Sequence, residues 1–191
     1  VQSIAGSTAA WSVVAGNPAD ITFTSSSTIF NPTATSTAYG TYTFRLTETS
    51  GSCSSTDDIV VTYTEQPVAN AGAGGSVCGK DGGNPFTFTG VASVGTGLWT
   101  QTSGPGTESF VLATSATTDV TVDTYGSYVF RWTETNGGCS DFAEVTVVFD
   151  EPTVAQAGAP TAEECDLDIN LAGVQSIAGS TAAWSVVAGN P

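Results

Sequence analysis

Apolar and polar side chains alternate in short runs along residues 67–151, which is the pattern of strands with one buried face. The runs are rich in β-branched and aromatic residues, and turn clusters such as Thr102–Gly106 separate them. No stretch follows a 3.6-residue period, so helices are not predicted. The alternation predicts about seven strands, near Val77, Phe86–Thr89, Leu98–Gln101, Ser109–Leu112, Thr118–Val122, Tyr128–Thr133 and Val145–Phe149.

Seven short strands at turn spacings of about 8–12 residues are typical of an antiparallel β-sandwich of immunoglobulin type. Trp99 and its counterpart Trp11, repeated as Trp184, each lie on a middle strand, so we predict them to be core anchors. Tyr42 and Tyr128 occupy the same place in two Tyr-Gly-x-Tyr-x-Phe-Arg segments. As in the tyrosine corners of sandwiches, their hydroxyls are predicted to bind nearby backbone. We therefore interpret these aromatic residues as core rather than binding residues.

The chain contains repeats at two levels. Residues 1–18 and 174–191 have the same eighteen-letter sequence at an offset of 173 residues. Within this period, Tyr39–Ser54 matches Tyr125–Ser140, and Pro67–Gly72 matches Pro152–Gly158 with one insertion. Pro67 to Pro152 is 85 residues, and Pro152 to the next copy of Pro67 is 88. The repeats therefore predict a longer polymer in which two related modules alternate.

The repeats divide this chain into three segments. Residues 67–151 form a complete module A, residues 1–66 the C-terminal part of a module B, and residues 152–191 the N-terminal part of the next module B. Modules of this length suit small single-core domains, and their succession predicts tandem sandwiches in a linear filament. An alternative is a separate subunit whose residues 152–191 complete the next subunit's module, but two identical eighteen-residue copies would then compete for one place.

The charge balance excludes several function classes. The chain has 3 basic residues, 18 acidic residues and no histidine, giving a net charge of −15. Three cations cannot supply a nucleic-acid or membrane-surface footprint, and no apolar run approaches the ~18 residues of a membrane span. A histidine-based triad or metal site is excluded, and the acids keep no common spacing between the modules. We therefore predict no catalysis, no cofactor, no nucleic-acid partner and no membrane insertion.

The charged residues suggest two structural roles. Arg45 and Arg131 precede Glu48 and Glu134 by three residues, and we interpret these as ion pairs on a sheet face. Calcium takes about six to eight oxygen ligands, so acidic clusters at module junctions raise a calcium hypothesis. A solvated acidic surface that keeps filaments apart is favoured, because no Asp-x-Asp-x-Asp-Gly loop is present. The clustered acids are Asp57, Asp58, Asp150, Glu151, Glu163, Glu164, Asp166 and Asp168.

The four cysteines keep one separation in both modules. Cys78 and Cys139 are 61 residues apart, as are Cys165 and the next copy of Cys53. We therefore predict one disulfide per module, joining Cys78 to Cys139 and Cys165 to the next Cys53. Zinc is the less favoured reading, because CxxC spacing and histidine are missing. Disulfides indicate an oxidising, extracellular setting.

Module A resembles the PKD-like repeat modules of giant cell-surface adhesins of Bacteroidetes, including gliding-motility adhesins. The likeness is carried by PVANAG, SVGTGLWTQTSGPGTESF and ATSATTDVTVDTYGSYVFRWTETNGGCSDFAEVTVVF, and it recurs more weakly in module B. The WDFGDG motif of ordinary PKD domains is missing. The resemblance implies type IX secretion, display as a thin filament on the outer cell surface, and adhesion, with the filament carried along the cell in gliding species.

Two classes of function remain open. The favoured one is a non-catalytic surface filament that mediates attachment and gliding motility. Its partners would be adjacent repeats of the same polypeptide, surface glycans or a substratum, and the secretion and motility machinery of the cell envelope. The alternatives are spacer or carbohydrate-binding modules of a secreted multidomain enzyme, and a static sheath. Near-identical copies favour the filament, because enzyme stalks use few, diverged modules.

Overall fold

The computed structural model describes residues 5–24, 26–158, 165 and 169–187. These residues form twelve strands and one short 3-10 helix, Pro18–Asp20. None of the described helices is long and apolar enough to cross a membrane. The strands are β1 (Thr8–Ala15), β2 (Ile21–Phe23), β3 (Ala34–Ser36), β4 (Gly40–Ser50), β5 (Cys53–Tyr63), β6 (Gly75–Cys78), β7 (Phe86–Thr87), β8 (Thr96–Ser103), β9 (Glu108–Phe110), β10 (Asp119–Val122), β11 (Gly126–Asn136) and β12 (Cys139–Asp150).

The predicted all-β fold with about seven strands in module A is confirmed. Strands β6 to β12 form one sheet in the order β6-β12-β11-β8 and a second in the order β7-β10-β9. Most pairings are antiparallel, but β6 runs parallel to β12, with Gly75 opposite Val147 and Cys78 opposite Asp150. The first and last strands of module A are therefore neighbours in one sheet.

Two compact units can be distinguished from the contacts. The first comprises Val1–Ala69, Ala92–Thr96 and Thr133–Asp141. The second comprises Asn70–Val91, Gly97–Trp132 and Phe142–Pro191. Because β11 and β12 are long, their hairpin end belongs to the first unit while most of both strands belongs to the second.

Alternation along β11 builds the core of the second unit. Tyr128, Phe130 and Trp132 are buried, and the residues between them are partly exposed, as the two-residue period of a strand requires. Trp99 stacks on Phe88 with ring centroids 4.0 Å apart. Its indole Nε1 donates to the carbonyls of residues 115 and 116, at 3.1 and 3.3 Å. The Trp99 ring is thus both packed and hydrogen-bonded, as a buried indole needs to be.

The first unit has a simpler core around sheet β1-β4-β5 and hairpin β2-β3. Tyr42 and Phe44 on β4 are buried. Trp11 is half-buried, and its Nε1 donates to the Phe30 carbonyl at 3.3 Å. The Tyr42 hydroxyl lies 3.3 Å from the Ala38 carbonyl, four residues earlier in the chain.

Trp184 does not have the environment of Trp11 in this structure. This residue is 56% exposed. Its counterpart Trp11 lies on β1, which pairs with β4, and residues 152–191 contain no copy of the β4 sequence. The described part of that segment forms an isolated bridge between Gln156 and Val174. The Trp184 indole lies beside Gly173 and lines an open groove of about 540 Å³. The role of Trp184 as a core anchor therefore stays a prediction for a module that contains both strands.

Candidate functional site

The connection between modules B and A is held by side chains rather than left as a free tether. It consists of the linker 64–69, the loop 92–96 and the hairpin end 133–141, which we call the junction cluster. All three segments belong to the first compact unit. Pro67 is fully buried within it. The linker meets the hairpin end that joins β11 to β12, which lies in sequence some 70 residues further on.

Hydrogen bonds fix the linker along nearly its whole length. Two of them come from amide side chains to backbone carbonyls, and two come from linker amides to side-chain oxygens. Each has the length of an ordinary hydrogen bond. They are Asn136 Nδ2 to Glu65 O (3.0 Å), Gln66 Nε2 to Ser140 O (2.8 Å), Val68 N to Ser93 Oγ (2.9 Å) and Ala69 N to Asp141 Oδ2 (2.9 Å).

A buried carboxylate underlies this cluster. Glu134 on β11 is 1% exposed, and both of its oxygens accept from the Ser93 amide at 3.0 Å. The Ser93 hydroxyl also donates to Glu134 Oε2 while it accepts from the Val68 amide. A buried carboxyl group costs free energy unless its oxygens are hydrogen-bonded. Ser93 therefore connects the linker to a carboxylate that needs it.

The corresponding glutamate of module B also accepts from a serine hydroxyl. Ser7 Oγ donates to Glu48 Oε1 at 2.5 Å, and Glu48 occupies the same slot of the repeat as Glu134. Sequence reasoning missed these pairs. The available signal was the alternation, because Glu134 continues the inward-facing series of Tyr128, Phe130 and Trp132.

The predicted Arg45–Glu48 and Arg131–Glu134 ion pairs are wrong. Residues three apart on a strand point to opposite faces, so these partners cannot meet. Each arginine instead pairs across the hairpin with an acid of the neighbouring strand. The pairs are Arg45 Nε to Asp58 Oδ1 (2.7 Å) with Nη2 to Oδ2 (2.8 Å), and Arg131 Nη2 to Glu144 Oε1 (2.8 Å).

The Arg45–Asp58 pair shifts the pKa of both partners. The hydrogen bonds from Arg45 hold the pKa of the Asp58 carboxyl below its ordinary value, and the same pair raises the pKa of Arg45. The Arg131 guanidinium also lies 4.1 Å from the centre of the Phe142 ring, a cation–π geometry.

The tyrosine corner of module A has the predicted form. The Tyr128 hydroxyl donates to the Thr124 carbonyl at 2.7 Å, and burial raises the pKa of this phenol. The neighbouring Asp123 carboxylate accepts from the Thr107 hydroxyl at 2.7 Å and from the Thr107 amide at 2.8 Å. These bonds lower the pKa of Asp123.

The acidic clusters do not assemble into a cation site among the described residues. There, no three carboxylate, thiolate or imidazole groups come together in a way that could hold a metal. Both oxygens of Asp58 are engaged by Arg45, and Asp57 Oδ1 accepts the Asp58 amide at 3.1 Å. Asp150 and Glu151 are exposed. Glu163, Glu164, Asp166 and Asp168 lie outside the described residues.

The predicted Cys78–Cys139 disulfide is not formed, and the strand register explains why. Cys139 is the first residue of β12, whereas Cys78 lies opposite Asp150 at the other end of that strand. At about 3.3 Å per residue, the two ends are roughly 36 Å apart. A disulfide needs α-carbons within about 7 Å. Cys53 and Cys165 are likewise unpaired and exposed.

No known protein-family profile matches the chain, and no curated protein matches it. Among solved structures, a Drosophila N-cadherin fragment, EC1-3, is similar at 13% identity over 78% of this chain and 57% of that chain, with a TM-score of 0.35. Domains 1–6 of the surface layer protein SbsC are similar at 20% identity over 78% and 21%, with a TM-score of 0.30. An endo-fucoidan hydrolase of glycoside hydrolase family 107 is similar at 15% identity over 74% and 23%, with a TM-score of 0.31. This chain spans less than two thirds of each of these chains.

Proposed function

We propose that this chain is a repeat segment of a long extracellular filament on the outer cell surface, and that it serves attachment and gliding motility without catalysis. The observation that carries the proposal is the junction cluster, in which four hydrogen bonds and the buried Pro67 fix the linker. A linker held by hydrogen bonds is stiffer than a free tether, and an extended fibre requires stiff linkers.

The repeat sequence supports the same proposal. Eighteen residues recur without a change at an offset of 173, so copies of the period have been kept nearly uniform. Uniform modules that each contact only their neighbours extend the reach of a surface protein, and several copies bind a glycan or substratum with avidity. The resemblance to PKD-like adhesin modules adds type IX secretion and the motility machinery of the cell envelope as expected partners.

The low number of cations suits an exposed fibre. The chain has three basic residues, and two of them, Arg45 and Arg131, are engaged in ion pairs across a hairpin. Trypsin-like proteases therefore find few sites. The charge of −15 makes lateral association of such filaments unfavourable, which favours single fibres over a sheath.

The experiment that tests the proposal labels living source cells with a monovalent fluorescent antibody fragment against the repeat. A fragment against an unrelated outer-surface protein is the control. We expect the repeat label to travel along cells that move while the control label does not. A label that stays fixed as an even coat would exclude the motility role and favour a sheath or passive adhesin.

A spacer in a secreted enzyme is the second candidate, and the same antibody distinguishes it. Immunoprecipitation from the culture medium would then recover a polypeptide with few copies of the module and a polysaccharide-degrading activity. For a surface filament we expect the recovered polypeptide to remain with the cells and to carry many copies. Recovery mainly from the medium with glycan hydrolysis would replace the filament proposal by the enzyme.

A further inference from the structure

The cysteines occupy the two opposite ends of a module. Cys139 begins β12 at the end that meets the preceding linker, and its Sγ lies 3.9 Å from the Thr64 carbonyl oxygen. Cys78 lies at the other end, opposite Asp150, the last residue of β12 before the next linker. Each module therefore has one thiol at its entrance and one at its exit.

The sequence repeat identifies the strand neighbour of Thr64 in the tandem polypeptide. Cys53 and Cys139 are equivalent positions of the repeat. Thr64 follows Cys53 by the same number of residues as Asp150 follows Cys139, so Thr64 and Asp150 are equivalent as well. In module A, the residue opposite Asp150 is Cys78, and the Gly79 amide donates to the Asp150 carbonyl at 2.9 Å. Cys165 occupies the Cys78 slot of module B. The module B that contains Thr64 has its own copy of Cys165 near its start. In the polymer, this copy is therefore the cross-strand neighbour of Thr64.

Two thiols thus converge on the same residue. The Cys165 copy approaches Thr64 from the adjoining strand, at the ~4.8 Å spacing of paired strands. Cys139 of the following module approaches the carbonyl of that same residue from the hairpin end. A disulfide spans α-carbons about 4.4–6.8 Å apart, so this arrangement suits a bond between modules far better than one within a module.

We propose that disulfides join consecutive modules across each junction. Cys165 pairs with Cys139 of the next module A, and by the same equivalence Cys78 pairs with the next copy of Cys53. Each bond forms from two thiols with release of two protons and two electrons. The oxidant is a disulfide of an exported thiol oxidoreductase or a small-molecule disulfide, which exchange reduces to two thiols.

This inference rests on the tandem order of the modules and not on adhesion. A filament that proves to be a static sheath would carry the same bonds, so the labelling experiment and the test below can fail independently. The bonds would make the junction a covalent clasp in addition to the hydrogen-bonded junction cluster. An extracellular location, where disulfides persist, is the condition for them.

Trypsin provides the test, because its sites separate the cysteines into two peptides. Cleavage after Arg45, Lys80 and Arg131 leaves Cys53 and Cys78 on the peptide 46–80. Cys139 and Cys165 remain on the peptide from residue 132 to the next copy of Arg45, and the peptide 81–131 has no cysteine. The purified tandem polypeptide is treated with a thiol-blocking reagent, denatured, digested without reductant and analysed by mass spectrometry.

We expect disulfides to join copies of the same peptide to one another. Copies of 46–80 should be linked to other copies of 46–80, and the larger peptide to its own copies, with reduction returning both to single peptides. Pairing within a module would instead join the two kinds of peptide, and this result would overturn the inference. Blocked thiols, or a loop between Cys53 and Cys78 inside one peptide, would overturn it as well.

Two controls separate the proposed bonds from lateral cross-links. Before digestion, the denatured polypeptide should be a single chain both with and without reductant. A species of two or more chains that reduction converts to single chains would mean bonds between filaments and contradict the proposal. Changing every Cys78 to Ser should abolish the disulfide-linked series of 46–80 peptides. The disulfide-linked series of peptides that contain Cys139 should remain intact. Loss of both sets of linked peptides would contradict the proposal, because the two proposed bonds share no cysteine.

Discussion

Replacing Ser93 by alanine isolates the hydroxyl that connects the linker to the buried Glu134. The Ser93 hydroxyl donates to Glu134 Oε2 and accepts from the Val68 amide, while the Ser93 backbone amide is unaffected by the substitution. Val68 is 70% exposed, so water can replace the serine as acceptor for its amide. Water cannot reach Glu134 as easily, because that residue is 1% exposed.

The expected cost follows from the loss of one hydrogen bond at a buried acceptor. Leaving a buried acceptor without a partner costs about 1–3 kcal/mol, and the Ser93 amide retains its own bond to the carboxyl group. We therefore expect Ser93→Ala to lower the free energy of unfolding by about 2 kcal/mol. For a domain of this size each kcal/mol corresponds to roughly 4–8 °C in Tm, so a fall of about 10 °C is expected.

Urea unfolding followed by tryptophan fluorescence measures the effect, since Trp99 and Trp132 report on the core next to Glu134. Ser115→Ala is the matched control, because its hydroxyl donates to the Thr117 carbonyl in an exposed turn. The control should change stability by less than about 0.5 kcal/mol. If Ser93→Ala were no more destabilising than Ser115→Ala, the hydroxyl would not sustain the buried carboxylate and the account of the junction cluster would be wrong.

Three further predictions concern the core and the titrating groups. Trp99→Ala should cost about 3–5 kcal/mol in urea unfolding, whereas the exposed Trp184→Ala should be nearly neutral; equal effects would contradict the assignment of Trp99 to the core. Burial raises the pKa of Tyr128, so the contribution of this phenol to stability is complete below its ordinary pKa of about 10 and is lost as pH rises through the folded-state pKa. Tyr128→Phe should therefore remove the alkaline loss of stability from a Tm–pH curve. At neutral pH the same substitution should cost about 1 kcal/mol. Because Arg45 lowers the pKa of Asp58, the contribution of this pair is present above about 3.8 and is lost as pH falls through the folded value; Asp58→Asn should flatten that acid limb, and curves that stay parallel to the unsubstituted chain would speak against it.

The sequence predicts the strands well because the information is local. On β11 the alternation of Tyr128, Phe130 and Trp132 follows from the two-residue period alone. The turn between β11 and β12 is marked by Gly137 and Gly138, and Gly137 has the positive φ of 57° that the hairpin turn requires. No knowledge of the partner strand is needed for either feature.

The predicted ion pairs and the predicted disulfide are wrong because each depends on where a residue lies across or along a sheet. Arg131 and Glu134 are close in sequence, but their side chains lie on opposite faces of the sheet. The constant spacing of Cys78 and Cys139 signals a shared role without showing that β12 lies lengthwise between them.

The junction cluster lay beyond sequence reasoning for a related reason. The bond from Ala69 to Asp141 joins residues more than seventy positions apart, and an isolated aspartate after a cysteine carries no signal of such a partner. The local signal was the alternation on β11, in which Glu134 continues the inward-facing series of residues.

The parallel pairing of β6 with β12 determines how a module responds to traction. Tension that enters through the start of β6 and leaves through the end of β12 pulls these neighbouring strands in opposite directions along their length. The ladder from Gly75–Val147 to Cys78–Asp150 is then sheared as a whole, together with the Gly79 to Asp150 bond, instead of being unzipped one bond at a time. Modules of this kind should resist an axial pull far better than the modest stability of a small domain would suggest.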